Sequence, residues 1–289
     1  MRIMKRAGVI GYPLTHSTSP AIFQAAFDAA GIDAGYEAWP TEPEQLEGRI
    51  NALRGDEMLG ANVTIPHKEA VVSLLDRLDP QAELLGAVNT IVHDSGDLIG
   101  YNTDVAGFGR ALREDAGFDA KGKHTVVLGA GGAARAVALS LIESRAATIL
   151  LTGRTPRRLT AVVNDLRGQT SAGVTLSWAY WLDGSFLVSL PKADLVVNCT
   201  PAGTLGGDAA DECVIDPEYI PANGTVFDLV YNPAETPLLK AAKEKGAKAV
   251  SGLGMLVYQA AESFRLWTGQ DADTEKMLAA GREALAGAP

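Results

Sequence analysis

The segment His124-Thr-Val-Val-Leu-Gly-Ala-Gly-Gly-Ala-Ala-Arg135 carries the strongest structural signal in this chain of 289 residues. Its apolar first half has the composition of a strand buried inside a parallel sheet. The second half fits G-x-G-x-x-A, in which Gly129 permits a tight turn, Gly131 lets the backbone approach a pyrophosphate, and Ala134 allows close helix packing. Because the following helix would direct free N–H groups and a positive dipole at an anion, the segment predicts a dinucleotide-binding unit. The alternative is a glycine-rich turn that binds nothing.

The end of the next predicted strand indicates which dinucleotide would bind. An NAD site usually has Asp or Glu there, about 20 residues after the glycines, to accept from the ribose 2′-hydroxyl. This chain instead has Arg154, Arg157 and Arg158, with Thr155 as a further hydroxyl and a cap for the next helix. Guanidinium groups bind phosphate oxygens through paired hydrogen bonds, so the cluster predicts a 2′-phosphate and therefore NADP. The alternative is a solvated basic face, although three arginines at a helix start oppose its dipole.

Length, composition and charge exclude several classes of protein. A length of 289 residues favours two domains, and 47% apolar with 21% charged residues is typical of a globular chain. The net charge of −10 argues against a nucleic-acid binder, which needs a positive surface. No run approaches the ~18 apolar residues that span a membrane, and no signal peptide is evident. Cys199 and Cys213 lack CxxC and metal-ligand spacing, so we expect a soluble cytoplasmic protein without a metal.

Apolar strand-like runs alternate with amphipathic stretches along the whole chain, which predicts the α/β class with parallel sheets. The predicted strands cover residues 7–10, 36–39, 60–63, 87–93, 97–101, 124–128, 148–152, 194–199 and 225–230. The predicted helices cover residues 20–30, 43–55, 68–75, 104–116, 133–145, 156–167, 254–267 and 274–286. Ser19 is the expected N-cap of the first helix, and Ser95-Gly96 the expected hairpin turn.

Polar residues at loop positions of the first half form a candidate catalytic group. Thr64, Lys68 and Asp104 each follow a predicted strand, and ligands of α/β sheets bind at the carboxyl ends of strands. An ammonium group can stabilise and protonate the alkoxide that forms when a ketone is reduced. Ser17 and Ser19, just before a helix, are a reasonable carboxylate site. The structural alternatives are a solvated lysine, a capping aspartate and loop or capping serines.

With these residues in view, the chain resembles the shikimate dehydrogenase family. The matching segments keep the family's order and cover most of the chain: Gly11–Pro20, Asn62–Lys68, Gly86–Thr90, Asn102–Asp104, Gly129–Ala134, Arg154-Thr155 with Arg158, and Gly252–Gln259. The resemblance implies an N-terminal α/β substrate domain, residues 1–104, completed by C-terminal helices of residues 254–289 that pack back on it. It also implies a Rossmann-like NADP-binding domain, residues 105–253.

The family's activity is the reversible NADPH-dependent reduction of 3-dehydroshikimate to shikimate in aromatic amino-acid (chorismate) biosynthesis. By resemblance, the catalytic pair falls on Lys68 and Asp104. The substrate contacts fall on Ser17 and Ser19 for the carboxylate, and on Thr64, Asn89, Tyr231 and Gln259. The cofactor contacts fall on Gly129, Ala130, Gly131, Gly132, Ala133, Ala134, Arg154, Thr155, Arg158, Leu229 and Gly252. We expect small-molecule ligands only, and a monomer or homodimer.

Two other functions stay open at this point. A quinate/shikimate or aminoshikimate dehydrogenase would differ in few contacts, and Val105 after the Asn-Thr-Asp motif resembles some quinate-active relatives. Ser19 and the arginine cluster favour shikimate and NADP instead. A non-catalytic NADP-binding sensor is the second alternative, and the presence of both Lys68 and Asp104 argues against it.

Overall fold

A computed structural model describes residues 4–14 and 17–287 of the chain. Thr15 and His16, which belong to the segment Gly11–Pro20 that resembles the family, lie outside the described residues. The chain divides into two compact units. Unit 1 comprises residues 1–107 and 257–289, and unit 2 comprises residues 108–256.

Twelve strands and nine α-helices are assigned within the described ranges. The strands are β1 (Lys5–Gly11), β2 (Ala34–Pro40), β3 (Met58–Val63), β4 (Arg77–Leu78), β5 (Thr90–Asp94), β6 (Asp97–Tyr101), β7 (His124–Leu128), β8 (Thr148–Gly153), β9 (Thr175–Tyr180), β10 (Leu195–Asn198), β11 (Thr225–Asp228) and β12 (Lys248–Ser251). The helices are α1 (Ser19–Ala30), α2 (Leu46–Ala52), α3 (Pro80–Leu85), α4 (Asp104–Glu114), α5 (Gly132–Glu143), α6 (Pro156–Leu166), α7 (Pro237–Glu244), α8 (Leu253–Thr268) and α9 (Thr274–Ala286).

Unit 2 contains a six-stranded sheet in the order β12-β11-β10-β7-β8-β9, and every pair in it is parallel. This is the doubly wound order of a Rossmann-like fold, as the glycine motif predicted. The strand order reverses between β7 and β10, so the loops that follow these two strands diverge there. A crevice at such a switch point is where open α/β sheets bind ligands.

Unit 1 contains a mixed sheet in the order β2-β1-β3-β5-β6-β4. The predicted hairpin is confirmed: Ser95 and Gly96 join β5 to β6 with φ values of 54° and 98°. Helix α9 packs on α1, and the indole Nε1 of Trp267 donates to the carbonyl oxygen of Ile91 at 2.9 Å. The C-terminal helices therefore pack back on the N-terminal sheet, which confirms this part of the expected fold.

Several elements differ from the sequence-based expectation. The helix expected over residues 43–55 is a 3-10 turn followed by the shorter α2, and residues 68–75 contain only a 3-10 helix, Ala70–Leu74. Ser19 is not the N-cap of α1, because the amide of Ile22 bonds to the carbonyl of Thr18 and the helix starts one residue earlier. Strands β4, β9 and β12 and helices α3 and α7 were not predicted. No described helix is long and apolar enough to cross a bilayer.

Candidate active site and dinucleotide site

Lys68 and Asp104 form a close ion pair in unit 1. The Lys68 ammonium donates to Oδ2 of Asp104 at 2.6 Å, and the two side chains are 18% and 7% exposed. Lys68 follows the loop after β3, and Asp104 is the first residue of α4. The sheet thus brings together two groups separated by 36 residues, at one end of its strands. Such a pair can hold an ammonium beside a reacting oxygen.

The side-chain amide of Asn89 holds the other carboxylate oxygen. Its Nδ2 donates to Oδ1 of Asp104 at 2.8 Å and also faces Oε1 of Gln259 at 3.2 Å. The backbone N–H of Thr103 donates to Asn89 Oδ1 at 2.7 Å, which fixes the orientation of the amide. Four of the predicted site residues, Lys68, Asp104, Asn89 and Gln259, therefore lie in one hydrogen-bonded group.

The predicted carboxylate-binding serines form a separate group at the start of α1. The backbone N–H of Ser19 donates to Ser17 Oγ at 3.3 Å, and Ser19 lies in the first turn of the helix. Thr18, at the cap position, has a buried hydroxyl without a hydrogen-bond partner in the described structure. No hydrogen bond among the described residues joins this group to the Lys68 cluster. A helix start with two hydroxyls is suited to an anion.

Thr64 lies on a loop that runs beside the end of β1 and Tyr12. The amide of Thr64 bonds to the carbonyl of Ile10 at 2.8 Å, and the amide of Tyr12 bonds to the carbonyl of Ile65 at 3.1 Å. A Cβ on Gly11 would lie 2.4 Å from the Thr64 methyl carbon, so glycine is required for this close approach. The Thr64 side chain is partly exposed, as a ligand contact must be.

The glycine loop of unit 2 connects β7 to α5 as predicted. Gly129 has a φ of +125°, and a Cβ there would lie 3.2 Å from the Cys199 carbonyl oxygen. Gly131 precedes the first helical residue, and a Cβ there would meet no atom within 4 Å. The backbone N–H groups of Gly132, Ala133 and Ala134 have no acceptor among the described residues. These free donors beside open space fit a pyrophosphate, so the loop has the backbone groups that a dinucleotide site requires.

The arginine cluster lies directly after β8, at the start of α6. Arg154, Thr155, Arg157 and Arg158 are all exposed, and none of the three guanidinium groups has an ion-pair partner in the described structure. Thr155 occupies the N-cap position of α6, but its hydroxyl makes no capping bond. The side chains that could hold a 2′-phosphate are thus present at the strand end where the ribose of a bound dinucleotide would lie.

A buried carboxylate that sequence analysis missed anchors the loop after β11. Asp228 accepts from Asn198 Nδ2 at 2.9 Å, from the Val230 amide at 3.1 Å and from Thr236 Oγ1 at 2.6 Å. Burial raises the pKa of Asp228 to about 6, against the opposing effect of these three donors. The loop carries the predicted contacts Leu229 and Tyr231, both partly exposed.

Gly252 packs tightly against the same loop. A Cβ on Gly252 would lie 2.2 Å from the carbonyl oxygen of Leu229, so these two predicted cofactor contacts touch each other.

Five polar residues of unit 1 were not predicted as site residues from the sequence. They are Tyr36, Asn62, Thr90, Thr103 and Ser263. Thr103 lies inside the Asn-Thr-Asp motif, and Ser263 follows Gln259 by four residues, one helical turn, so both positions carried a signal.

Comparison with known proteins gives the family. The model described as the shikimate dehydrogenase substrate binding domain matches residues 9–91, and that described as the shikimate 5′-dehydrogenase C-terminal domain matches residues 252–280. The NADP(+) shikimate dehydrogenase of Methanopyrus kandleri is 44% identical over 279 residues, which cover 96% of this chain and 95% of the relative. That of Moorella thermoacetica is 43% identical over 278 residues, covering 96% and 92%. The chain belongs to the shikimate dehydrogenase family.

Solved structures of shikimate dehydrogenases have the same architecture. The enzyme from Thermus thermophilus, crystallised with NADP(H) and shikimate, superposes with a TM-score of 0.86 at 39% identity, covering 98% of this chain and all of that one. The predicted fold class, a substrate domain combined with a Rossmann-like domain, is therefore confirmed. So is the family resemblance that the motifs indicated.

Proposed function

We propose that this shikimate dehydrogenase family member catalyses the reversible NADPH-dependent reduction of 3-dehydroshikimate to shikimate, a step of aromatic amino-acid biosynthesis. The observation that carries the proposal is the Lys68–Asp104 pair, at 2.6 Å, held by Asn89 at the strand ends of unit 1. Unit 1 is the proposed substrate-binding and catalytic domain, and unit 2 the proposed NADP-binding domain.

In the proposed mechanism, Lys68 donates the proton of the reaction in one direction and accepts it in the other. In the reduction, its ammonium donates a hydrogen bond to the substrate carbonyl oxygen and transfers a proton to that oxygen as the C–O bond becomes single. In the oxidation, the neutral amine takes the hydroxyl proton back. Asp104 keeps the ammonium in place through the 2.6 Å bond, and its second oxygen is held by Asn89.

The remaining polar residues would orient the substrate ring. Ser17 and Ser19, at the start of α1, would bind the carboxylate through hydroxyl and backbone donors. Thr64, Asn89, Tyr231 and Gln259 would bind ring hydroxyls. Fixing the ring at both its carboxylate and its hydroxyls places one carbonyl beside Lys68, and such orientation supplies much of the rate enhancement of an enzyme.

The residues of unit 2 would hold NADPH, whose chemical role when bound is to supply the hydride to the carbonyl carbon. The free N–H groups of Gly132, Ala133 and Ala134 would bind the pyrophosphate, with Gly129, Ala130 and Gly131 shaping the turn. Arg154 and Arg158 would bind the 2′-phosphate, with Thr155 beside them. Leu229 and Gly252, which touch each other, would complete the nicotinamide end of the site.

A panel of substrates and cofactors tests the proposal. Absorbance of the reduced nicotinamide is followed with shikimate, with quinate and with an amino-substituted shikimate, each with NADP and with NAD. We expect kcat/KM to be highest for shikimate with NADP. A preference for quinate would identify the enzyme as a quinate/shikimate dehydrogenase, and a preference for an amino-substituted ring would identify the aminoshikimate enzyme. Absence of turnover at any pH, with NADP still bound, would leave the sensor function.

Two finer features complete the proposal. Cys213 is a free thiol, which is typical of a reducing compartment, and we therefore propose a cytoplasmic location. We also propose a monomer or a homodimer, which sedimentation equilibrium at several protein concentrations would distinguish.

A further inference from the structure

Behind the proposed substrate contacts of unit 1 lies a set of buried hydroxyls. Thr90, Thr103 and Ser263 are each at most 3% exposed, so they cannot contact a ligand in the described structure. Thr90 Oγ1 lies 2.8 Å from Ser263 Oγ and 3.2 Å from Thr103 Oγ1, and Ser263 Oγ lies 3.3 Å from Thr103 Oγ1. The three hydroxyls form a closed triangle that joins β5, the loop before α4, and α8.

The triangle is connected to Asn62 on β3. Asn62 Nδ2 donates to Ser263 Oγ at 3.0 Å, to Thr90 Oγ1 at 3.1 Å and to the backbone carbonyl of Asn89 at 3.2 Å. Because a backbone carbonyl can only accept, the carbonyl of Asn89 fixes Nδ2, and not Oδ1, as the end of the Asn62 amide that faces the triangle. The hydroxyl of Tyr36 then donates to Asn62 Oδ1 at 2.8 Å, so every hydrogen-bonding group of the Asn62 amide has a partner.

The same triangle contacts the two amides of the proposed substrate site. Thr90 Oγ1 donates to Asn89 Oδ1 at 3.0 Å, and Thr103 Oγ1 lies 3.0 Å from Asn89 Nδ2. Ser263 Oγ donates to the backbone carbonyl of Gln259 at 3.0 Å, four residues earlier on α8. The hydroxyls therefore reach Asn89 through its side chain. They reach Gln259 through its backbone carbonyl, from Ser263, and through its side-chain Oε1, to which Thr103 Oγ1 donates at 3.4 Å.

The orientation of the Asn89 amide determines what the site offers to a ligand. With Oδ1 bound to the Thr103 amide and the Thr90 hydroxyl, Nδ2 must face Asp104 Oδ1 and Gln259 Oε1. Because Oε1 of Gln259 faces Asn89, its Nε2 donors point to the opposite side of the same planar amide. A rotated Asn89 would place an oxygen against the Asp104 carboxylate and reverse this arrangement.

We propose that Thr90 and Ser263 are positioning residues for the reaction: they hold the amides of Asn62 and Asn89 in one orientation, and through Asn89 they place Asp104 and Gln259 for the substrate ring. The inference rests on the proposed function, because the residues that it positions are the proposed substrate and catalytic groups. Fully satisfied buried networks are rigid, and catalysis depends on placement to a fraction of an ångström.

Paired substitutions separate positioning from general stability. Thr90→Val removes the hydroxyl at nearly constant shape, whereas Thr90→Ser keeps the hydroxyl and removes the methyl group. Ser263→Ala is matched by Ser140→Ala, a buried serine of α5 in unit 2 that is 4% exposed. Kinetic constants for shikimate and for NADP, and the thermal midpoint, are measured for each variant and for the wild type.

We expect Thr90→Val and Ser263→Ala to lower kcat/KM for shikimate by about 10- to 100-fold, while the KM for NADP changes less than about twofold. Thr90→Ser should keep most of the wild-type activity, and Ser140→Ala should change the thermal midpoint without this loss. Equal activity of Thr90→Val and Thr90→Ser, or a loss in Ser140→Ala as large as in Ser263→Ala, would overturn the inference. If Ser263→Ala does not fold, the Thr90 pair decides. A wild type that does not oxidise shikimate would instead refute the proposed function.

Discussion

Lys68 and Asp104 differ from the other ion pairs of the chain in their burial. Lys243 and Glu235 lie equally close, at 2.6 Å, but their side chains are 59% and 53% exposed. An exposed pair of this kind contributes about 0–1 kcal/mol to stability. The 18% and 7% exposure of Lys68 and Asp104 means that both charges are partly desolvated, which is costly unless each keeps its partner. A pair of this kind, at strand ends, is better explained by chemistry than by stability.

Lys68→Ala tests the role of the ammonium directly. We expect kcat to fall by about 10³-fold or more, because loss of proton transfer and of alkoxide stabilisation each remove a large factor. Affinity for NADP should barely change, since the proposed cofactor contacts lie in unit 2. Stopped-flow turnover and fluorescence titration with NADPH measure the two quantities.

Lys243→Ala serves as the matched control for this substitution, because it breaks a lysine–carboxylate bond of the same length at an exposed site. It should leave both quantities unchanged. A collapse of NADP affinity in Lys68→Ala, with kcat preserved, would contradict the assigned role.

At the scale of elements, the turn between β7 and α5 contains two glycines that are required for different reasons. Gly129 has positive φ, and a Cβ there would press on the Cys199 backbone, whereas Gly131 has an ordinary φ of −91° and open space around it. We expect Gly129→Ala to lower the free energy of unfolding by about 1–3 kcal/mol. Gly131→Ala should leave stability nearly unchanged but weaken NADP by about 10-fold or more, since its methyl group would occupy the space beside the free amides.

Urea unfolding and NADPH titration of both glycine variants check this division. If Gly131→Ala bound NADP as tightly as the wild type, the pyrophosphate could not lie against this part of the loop.

The start of α6 provides the test of cofactor choice. Replacing both Arg154 and Arg158 by Ala should weaken NADP by about 100-fold or more, because each charge-assisted hydrogen bond contributes about 1.5–3 kcal/mol. NAD lacks the 2′-phosphate, so its affinity should change little. Arg167→Ala, an exposed arginine at the other end of this helix, controls for the loss of positive charge. Equal losses for NADP and NAD would reject the 2′-phosphate site.

Local signals explain which elements could be predicted from the sequence. Strands β7, β8, β10 and β11 lie in the middle of the unit 2 sheet, each contains a short buried apolar run, and all four were predicted. Strands β9 and β12 are the two edges of that sheet and are half exposed, so polar residues interrupt or flank their apolar positions. Helices α3 and α7 did carry start signals, because Asp79 and Thr236 cap them and a proline follows each.

The candidate site was predictable only in part, for a similar reason. The motifs indicated Lys68, Asp104 and the glycine loop, because those residues sit where strands end. The buried hydroxyl triangle joins Thr90 to Ser263 across 173 residues, and no local pattern reports a contact of that range. The sequence also predicted Ser19 as the cap of α1, because a serine before a proline is a strong capping signal. In the structure the cap is one residue earlier, at Thr18.

At the scale of the whole molecule, the buried carboxylates of the two units differ in their hydrogen-bond and ion-pair partners. Asp104 of unit 1 has the cation Lys68, whereas Asp228 of unit 2 has three neutral donors and no ion-pair partner in the described ranges of the chain. Burial without a cation raises the pKa of Asp228 to about 6, from an ordinary value of 3.8. The folded chain therefore binds a proton at Asp228 at a pH where the unfolded chain has already released it.

This difference gives the folded protein a predictable dependence on pH. Because the folded-state pKa is raised, the contribution of Asp228 to the free energy of unfolding grows as pH falls through about 6 and levels off near 4. The total gain is up to ~3 kcal/mol, at about 1.4 kcal/mol for each unit of pKa shift. Asp228→Asn cannot ionise, so the difference in unfolding free energy between wild type and variant should change by most of that amount, about 2 kcal/mol, between pH 7 and pH 4. Urea unfolding of both proteins across this range measures it, with Asp208→Asn as the control for loss of an exposed charge. A difference that stays constant with pH would show that Asp228 has the same pKa in the folded and the unfolded chain, and that its three donors offset the cost of burial.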